Sequence, residues 1–266
     1  MKIERTAIGA LVALLVLFLG LPVLVLVVRA VAGGALATAL GDPVVLEALG
    51  LSVATTAVSL LLTVVLGAPL AYALARRRFR GSSVIETIVD LPIVLPPSVA
   101  GLALLLVFGR RGLVGSSLDV IGLTIPFTTL AVVMAQVFVA APFFVRSARA
   151  GFAGVDRDLE DAARVDGAAE RQVFRWITVP LAGSALAAGI VMSWARALGE
   201  FGATIMFAGN VAGRTQTLPL VVYEQFGSGD LDASIAAAAI LVLAAFGVLV
   251  AVRWLGWGRA LDLRAT

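Results

Sequence analysis

Five stretches of this chain run for eighteen residues or more without a charged side chain, and they dictate most of what it can fold into. They are Thr6–Val28, Leu51–Ala75, Leu91–Phe108, Pro126–Val145 and Ser234–Val252. A sixth, Val179–Phe207, is interrupted only by Arg196 and Glu200. A helix that crosses the hydrocarbon core of a bilayer needs about 20 mainly apolar residues. The pattern predicts an all-α, polytopic membrane protein with six transmembrane helices.

Composition points the same way. The 266 residues are 61% hydrophobic and only 14% charged, with a mean hydropathy of +1.05, whereas soluble domains carry about 25% charge. Cysteine and histidine are both missing. That excludes a disulfide framework and a thiolate metal site, and removes the commonest acid–base group and metal ligand. No cofactor or metal is expected in this chain. The pI near 10 comes from arginine, since Lys2 is the one lysine. These arginines sit in short loops beside apolar spans, which argues against nucleic acid as a partner.

Basic residues in the loops set orientation. With the N-terminus inside, segments 1–5, 76–90, 146–178 and 253–266 hold 15 of the 20 basic residues, and the outer segments hold 4. The cluster Arg76-Arg77-Arg78-Phe79-Arg80 contributes most per residue. Both termini are therefore expected in the cytoplasm of a cell whose inner membrane the chain spans. A cleaved signal peptide is the alternative for the first span, with small residues near Ala35-Leu36-Ala37. Signal cores run about 7–15 residues, however, and this apolar run is longer.

Between spans, close approach through small residues drives packing in lipid. Three period-four faces qualify: Gly67, Ala71 and Ala75; Ala185, Gly189 and Ser193; and Ala195, Gly199 and Ala203. Pro69 and Pro142 fall inside spans and are expected to kink them. Asp90–Pro97 is expected to be an irregular lead-in strand, with regular helix starting near Pro97 or Ser98. Irregular backbone at that depth survives only against protein or a wet cavity.

The longest inner loop is a polar helical hairpin. Asp156 or Asp158 can cap its first helix, and Asp158 with Asp161 is a variant of the capping box. Leu159, Ala162, Ala163 and Val165 give that helix a mild apolar face, Gly167 is the natural turn, and Val173, Phe174 and Ile177 follow at helical spacing. Pro180 marks the next span. Acidic residues early and basic residues late suit the helix dipole. So long a structured loop in a membrane chain is usually functional.

Asp161-Ala162-Ala163, then Gly167, Ile177 and Val179-Pro180, resemble the cytoplasmic motif of importer permeases of the ATP-binding-cassette type: Glu-Ala-Ala, three residues, Gly, nine residues, Ile, one residue, Leu-Pro. Asp161 stands for the family's Glu, with Glu160 beside it, and Val179 stands for Leu. The run Leu91–Gly101 is similar to the third-span start of molybdate and sulfate permeases. Ala195–Asn210 and Arg214–Pro219 resemble the molybdate branch. The resemblance implies a type I importer transmembrane fold over 45–255, after a first helix and outer loop (1–44) and before a short tail (256–266). It implies that Glu160, Asp161, Ala162, Ala163, Gly167, Ile177 and Pro180 belong to a coupling loop docked on an ATPase dimer. It further implies a second copy of this chain and an extracytoplasmic oxyanion-binding protein. Sulfate, thiosulfate and tungstate remain alternative cargoes, and a heterodimer remains an alternative assembly.

This sequence has no phosphate-binding loop of the G-x-x-x-x-G-K-[ST] kind. The chain is thus expected to be non-catalytic, with ATP and Mg on the partner. Arg196 and Glu200, four residues apart in a span, can pair, and charges there are functional candidates by default. Two readings stand: a self-neutralising structural pair, or a lining of the pathway together with the neutral donors Ser193, Thr204 and Gln136. The outer segment 208–233, with Asn210, Arg214, Thr215, Gln216 and Glu224, is where such a family would meet the binding protein. An ion-driven secondary transporter, the alternative from another class, would call for an internal repeat, which is not evident.

Overall fold

The computed structural model describes residues 2–76 and 79–252. Among the described residues every regular element is a helix. In order these are α1 (Lys2–Ala32), α2 (Ala35–Leu40), α3 (Pro43–Arg76), α4 (Ser82–Val94), α5 (Pro97–Phe108), α6 (Gly115–Val120) and α7 (Thr129–Ala153). There follow α8 (Arg157–Val165), α9 (Glu170–Val173), a π-helical turn over Phe174–Thr178, and α10 (Val179–Leu181). Then come α11 (Gly183–Leu198), α12 (Gly202–Phe207), α13 (Leu218–Ser228) and α14 (Leu231–Val252). Arg77, Arg78 and the tail 256–266 lie outside the described residues.

Four helices are long enough and apolar enough to cross a membrane alone: α1, α3, α7 and α14. The other two expected spans are bent. Ser82–Val94 and Pro97–Phe108 meet at 119°, and Glu170–Leu181 and Gly183–Leu198 meet at 71°. The expected irregular strand over 90–97 is thereby corrected. Pro92 is helical, and only Leu95 and Pro96 leave the helix, with extended ψ of 132° and 135°. Pro97 then occupies the first turn of α5, where its missing N–H costs nothing. At about 1.5 Å per residue α5 is too short to cross the hydrocarbon core by itself.

The expected fifth span, Val179–Phe207, is also corrected. Its helix restarts at Gly183 and stops at Leu198, and the chain turns through Gly199–Phe201 before α12. The third small-residue face, Ala195–Gly199–Ala203, is therefore not one helical stripe. The other two faces do pack. A Cβ on Gly67 would lie 2.9 Å from Phe144 and 3.1 Å from Val145, and one on Gly189 would lie 3.0 Å from Ser147 Cβ. Both faces bring their helices against α7, which forms the centre of the bundle. Ser147 Oγ donates to Ala185 O at 2.7 Å and Ser193 Oγ to Ala140 O at 2.9 Å, so hydroxyls tie the α7–α11 seam.

On the other side of α7, α12 lies on α5 at backbone distance. A Cβ on Gly101 would meet Ala203 O at 2.6 Å, and one on Gly202 would meet Pro97 Cβ at 2.6 Å. Phe207, Val132 and Leu104 fill the core beneath. A second core joins α2, α3, α13 and α14, and a third joins α3, α7 and the base of the hairpin. In contrast α1 touches mainly α14 and α2. Its Leu11 and Phe18 are among many exposed apolar side chains, as a lipid-facing helix requires.

Candidate functional site

The polar hairpin folds as its sequence prescribes. Asp156 is the N-cap of α8, its carboxylate accepting from Asp158 N at 3.0 Å, which settles the choice between Asp156 and Asp158. At the other end Gly167 has φ +90°. Ala168 N donates to Ala163 O at 3.0 Å and Gly167 N to Arg164 O at 3.0 Å, closing the carbonyls at the end of α8. Glycine reaches that left-handed conformation without the Cβ penalty. The second arm starts where Gln172 Oε1 accepts from Ala169 N at 2.8 Å.

The hairpin's two arms are stapled on the outside by Arg164. Its Nη1 reaches Asp161 Oδ1 at 2.6 Å, and its Nε reaches Glu170 Oε1 at 2.6 Å. The hydrogen bond to Glu170, reinforced by Asp161, raises the guanidinium pKa further above its usual range. Reciprocally, the bond from Arg164 holds the Glu170 carboxyl below its usual value. Asp161, expected at a partner surface, is exposed and takes part in this staple.

Glu160 has a different place. It is 3% exposed and faces inward. Its Oε1 accepts from Arg76 Nη2 at 2.7 Å and from Thr178 Oγ1 at 2.6 Å. Arg76 also donates to Val155 O at 3.2 Å. Tyr72 stacks edge-on against Phe152 and Phe174, at 5.5 and 5.0 Å between centroids. Neither Arg76 nor Thr178 stood out in the sequence. Arg76 was hidden in an arginine cluster, and Thr178 fell at the position the motif leaves free.

The apolar face of the hairpin is left largely uncovered by the described residues. Leu159, Val165 and Trp176 are 50%, 87% and 69% exposed. Asp166, Gly167, Gln172, Trp176 and Ile177 line a shallow cleft of about 360 Å³. Ala162 is exposed and Ala163 half-buried, while Pro180 is exposed at the foot of the second arm. The π-turn at 174–178 is of a type found frequently at functional sites.

The second candidate site is the turn after α11. Arg196 Nη1 lies 2.6 Å from Glu200 Oε2 in an ion pair, but Oε2 has no aligned hydrogen-bond donor. Glu200 Oε1 accepts from Ala203 N at 2.7 Å, so this carboxylate caps α12. Its side chain is 1% exposed, against 29% for Arg196. Thr204, on the same short helix, is buried with its hydroxyl unpartnered. Ser193 and Gln136 lie apart from this turn in seams between helices. Gln136 Oε1 accepts from Ser59 Oγ at 2.8 Å, and Ser52, Thr55, Thr56, Ser59 and Thr63 make a buried hydroxyl stripe along α3. That stripe was legible at spacings of three and four.

On the outer side, Asn210 Nδ2 donates to Glu224 Oε2 at 2.7 Å, and Gln216 donates to the same oxygen. Thr129 Oγ1 donates to Arg214 O at 2.9 Å, and Thr215 Oγ1 accepts from Val211 N at 2.9 Å. Segment 208–217 is thus folded against α7 and α13.

Comparison with known proteins covers both sites. A family described as "Binding-protein-dependent transport system inner membrane component" matches residues 63–256. The chain is 44% identical over 205 residues to "Molybdenum transport system permease protein ModB" of Mycobacterium tuberculosis, covering 77% of each. It is 38% identical over 255 residues to "Molybdate/tungstate transport system permease protein WtpB" of Pyrococcus furiosus, covering 95% of this chain and 96% of that one. Among solved structures it resembles a bacterial ABC transporter involved in import of the acidic polysaccharide alginate, with TM-score 0.73 and 18% identity over 98% of this chain and 96% of that one. It also resembles the MetNI methionine ABC transporter in an inward-facing conformation, with TM-score 0.63 and 18% identity over 82% and 96%. At such identity these two structures speak for the fold.

Proposed function

The chain belongs to the family of binding-protein-dependent transport system inner membrane components, and from that premise we propose that it forms the membrane pathway of an ATP-driven oxyanion importer, with molybdate or tungstate as cargo. The relatives' names support the cargo. Two copies of the chain, a separate ATPase dimer and an extracytoplasmic binding protein complete the machine, with both termini in the cytoplasm.

The observation that carries this reading is a hairpin braced from within that carries an exposed apolar outer face. Its arms are fixed to each other and to α3, yet it turns Leu159, Val165 and Trp176 outward. A loop built only to join two spans has no need of an exposed apolar face. Docking on an ATPase gives that face a partner, with Ala162, Ala163 and Gly167 allowing close approach and Ile177 lining the cleft. ATP-driven closure of the ATPase dimer then moves the paired hairpins together and swings the spans between inward- and outward-facing states. The bound oxyanion shifts that balance only by its differential affinity for the two states.

Arg196 lines the pathway in this reading, with Glu200 buried behind it as its anchor. A partly exposed guanidinium held by an imperfectly aligned carboxylate can contact a passing dianion and let it go. Tight binding there would trap the cargo.

The test is ATP hydrolysis in vesicles reconstituted with this chain, its ATPase and the binding protein. Stimulation is expected with the binding protein loaded with molybdate or tungstate. Stimulation only by sulfate would change the cargo, and no stimulation by any of the three would refute the importer.

A further inference from the structure

We propose that Glu160 Oε1 is the pin of a mechanical joint, Arg76–Glu160–Thr178, which passes movement of the docked hairpin to the membrane spans. This rests on the importer reading above. Glu160 Oε1 accepts from Arg76 on α3 and from Thr178 on the π-turn, while Glu160 itself belongs to α8. A single oxygen therefore ties together both arms of the hairpin and the end of a 34-residue helix. Arg76 adds a bond to Val155 O, in the link between α7 and α8. Four separate pieces of backbone converge on two side chains.

Burial makes the joint stiff. The Arg76 and Glu160 side chains are 9% and 4% exposed, so water does not compete for their bonds, and charge-assisted hydrogen bonds are about twice as strong as neutral ones. The Tyr72, Phe152 and Phe174 rings pack α3, α7 and the π-turn together beside it. The surface that meets the ATPase and the atoms that hold the hairpin to the spans are thus separate. The first are on the outer apolar face, the second on the inner one.

At its other end α3 is held just as specifically. Ser52 Oγ accepts from Leu218 N at 2.7 Å, at the start of α13 and directly after the outer segment. From Ser52 to Arg76 the helix runs about 36 Å at 1.5 Å per residue. A displacement of the joint reaches the outer side along this strut. Arg76 and Thr178 are accordingly positioning residues.

The test uses the assembled transporter in vesicles, measuring radiolabelled molybdate imported per ATP hydrolysed. Coupling energies of this kind correspond to several-fold changes, so Arg76→Gln is expected to lower the ratio about tenfold and Thr178→Val about fivefold, with Thr178→Ser within about twofold of the native chain. Because the chain has no cysteine, spin labels at Arg171→Cys, exposed on the hairpin away from its apolar face, and Val58→Cys report the hairpin-to-α3 distance directly. The joint predicts a narrow distribution that broadens in Arg76→Gln and Thr178→Val and recovers in Thr178→Ser. An unchanged ratio, or a lowered ratio with an unbroadened distribution, overturns the proposal. If the native complex hydrolyses no ATP, the importer reading fails. The spin-label widths still decide whether these residues anchor the hairpin, and no broadening there overturns the joint.

Discussion

Two glutamates of this molecule are buried beside an arginine, and they are finished differently. Glu160 meets Arg76 and Thr178 through one well-aligned oxygen, and its arginine is nearly as buried as itself. Glu200 meets Arg196 through an oxygen that lacks an aligned donor, and that arginine is 29% exposed. The first pair is buried on both sides, although Arg76 Nε finds no acceptor among the described residues, and it suits a fixed joint. The second is anchored on the glutamate side, by Ala203 N, and open on the arginine side. It suits a contact that must be made and released. The same two residue types thus serve holding or exchange according to where their remaining valences go.

That contrast has measurable consequences in thermal unfolding of the detergent-purified chain. Removing one member of a buried pair costs about 3–5 kcal/mol, because the other is left charged and alone. Glu160→Ala is expected at the upper end, about 4–5 kcal/mol, since it strands Arg76 and frees Thr178 together. Arg196→Ala is expected at the lower end, about 3 kcal/mol, because Glu200 keeps its bond from Ala203 N; it should also reduce uptake. Normal folding with unchanged uptake in Arg196→Ala would remove that residue from the pathway. Glu200→Gln is expected to cost only about 1–2 kcal/mol, since the amide oxygen can still cap α12 and Arg196 can turn to water. If Glu200→Gln proved more damaging than Arg196→Ala, the two halves of the pair would have been assigned the wrong way round.

The smallest effect belongs to the exposed staple. Arg164→Ala is expected to leave the melting temperature unchanged at neutral pH, since exposed pairs contribute little. Its trace should appear in acid. The hydrogen bond from Arg164 holds the Glu170 carboxyl below its usual value. The stabilisation is therefore fully present above that value and is lost as pH falls through the lower folded value. Hydrogen exchange of the α8 and α9 amides should quicken over that acid window in the native chain and show no such step in Arg164→Ala.

Much of this was readable in the residues. The apolar runs gave the spans, Gly167 and Asp156 the ends of α8, and the Gly67–Ala71 and Ala185–Gly189–Ser193 stripes the seams on α7. What hydropathy could not supply was direction. Residues 179–207 are as apolar after Gly199 as before it, so nothing in their average reveals a turn. The reason for the turn is local: Glu200 caps a new helix that lies back on α5. Likewise Pro92 suggested irregular backbone, but α4 absorbs it and the chain breaks three residues later. Glu160 was grouped with its neighbours because a motif records which residues recur together, while the inward or outward facing of each depends on the packing of α3 beneath.

The meeting of α5 and α12 also limits how this protein can change shape. With Gly101 under Ala203 O and Gly202 under Pro97, backbone rests on backbone from both sides, and close-packed interiors yield little. Sliding one helix along the other would drive main chain into main chain. The two must travel as one solid wedge, which leaves Leu95-Pro96 on one flank and Gly199–Phe201 on the other as the places where the chain can bend.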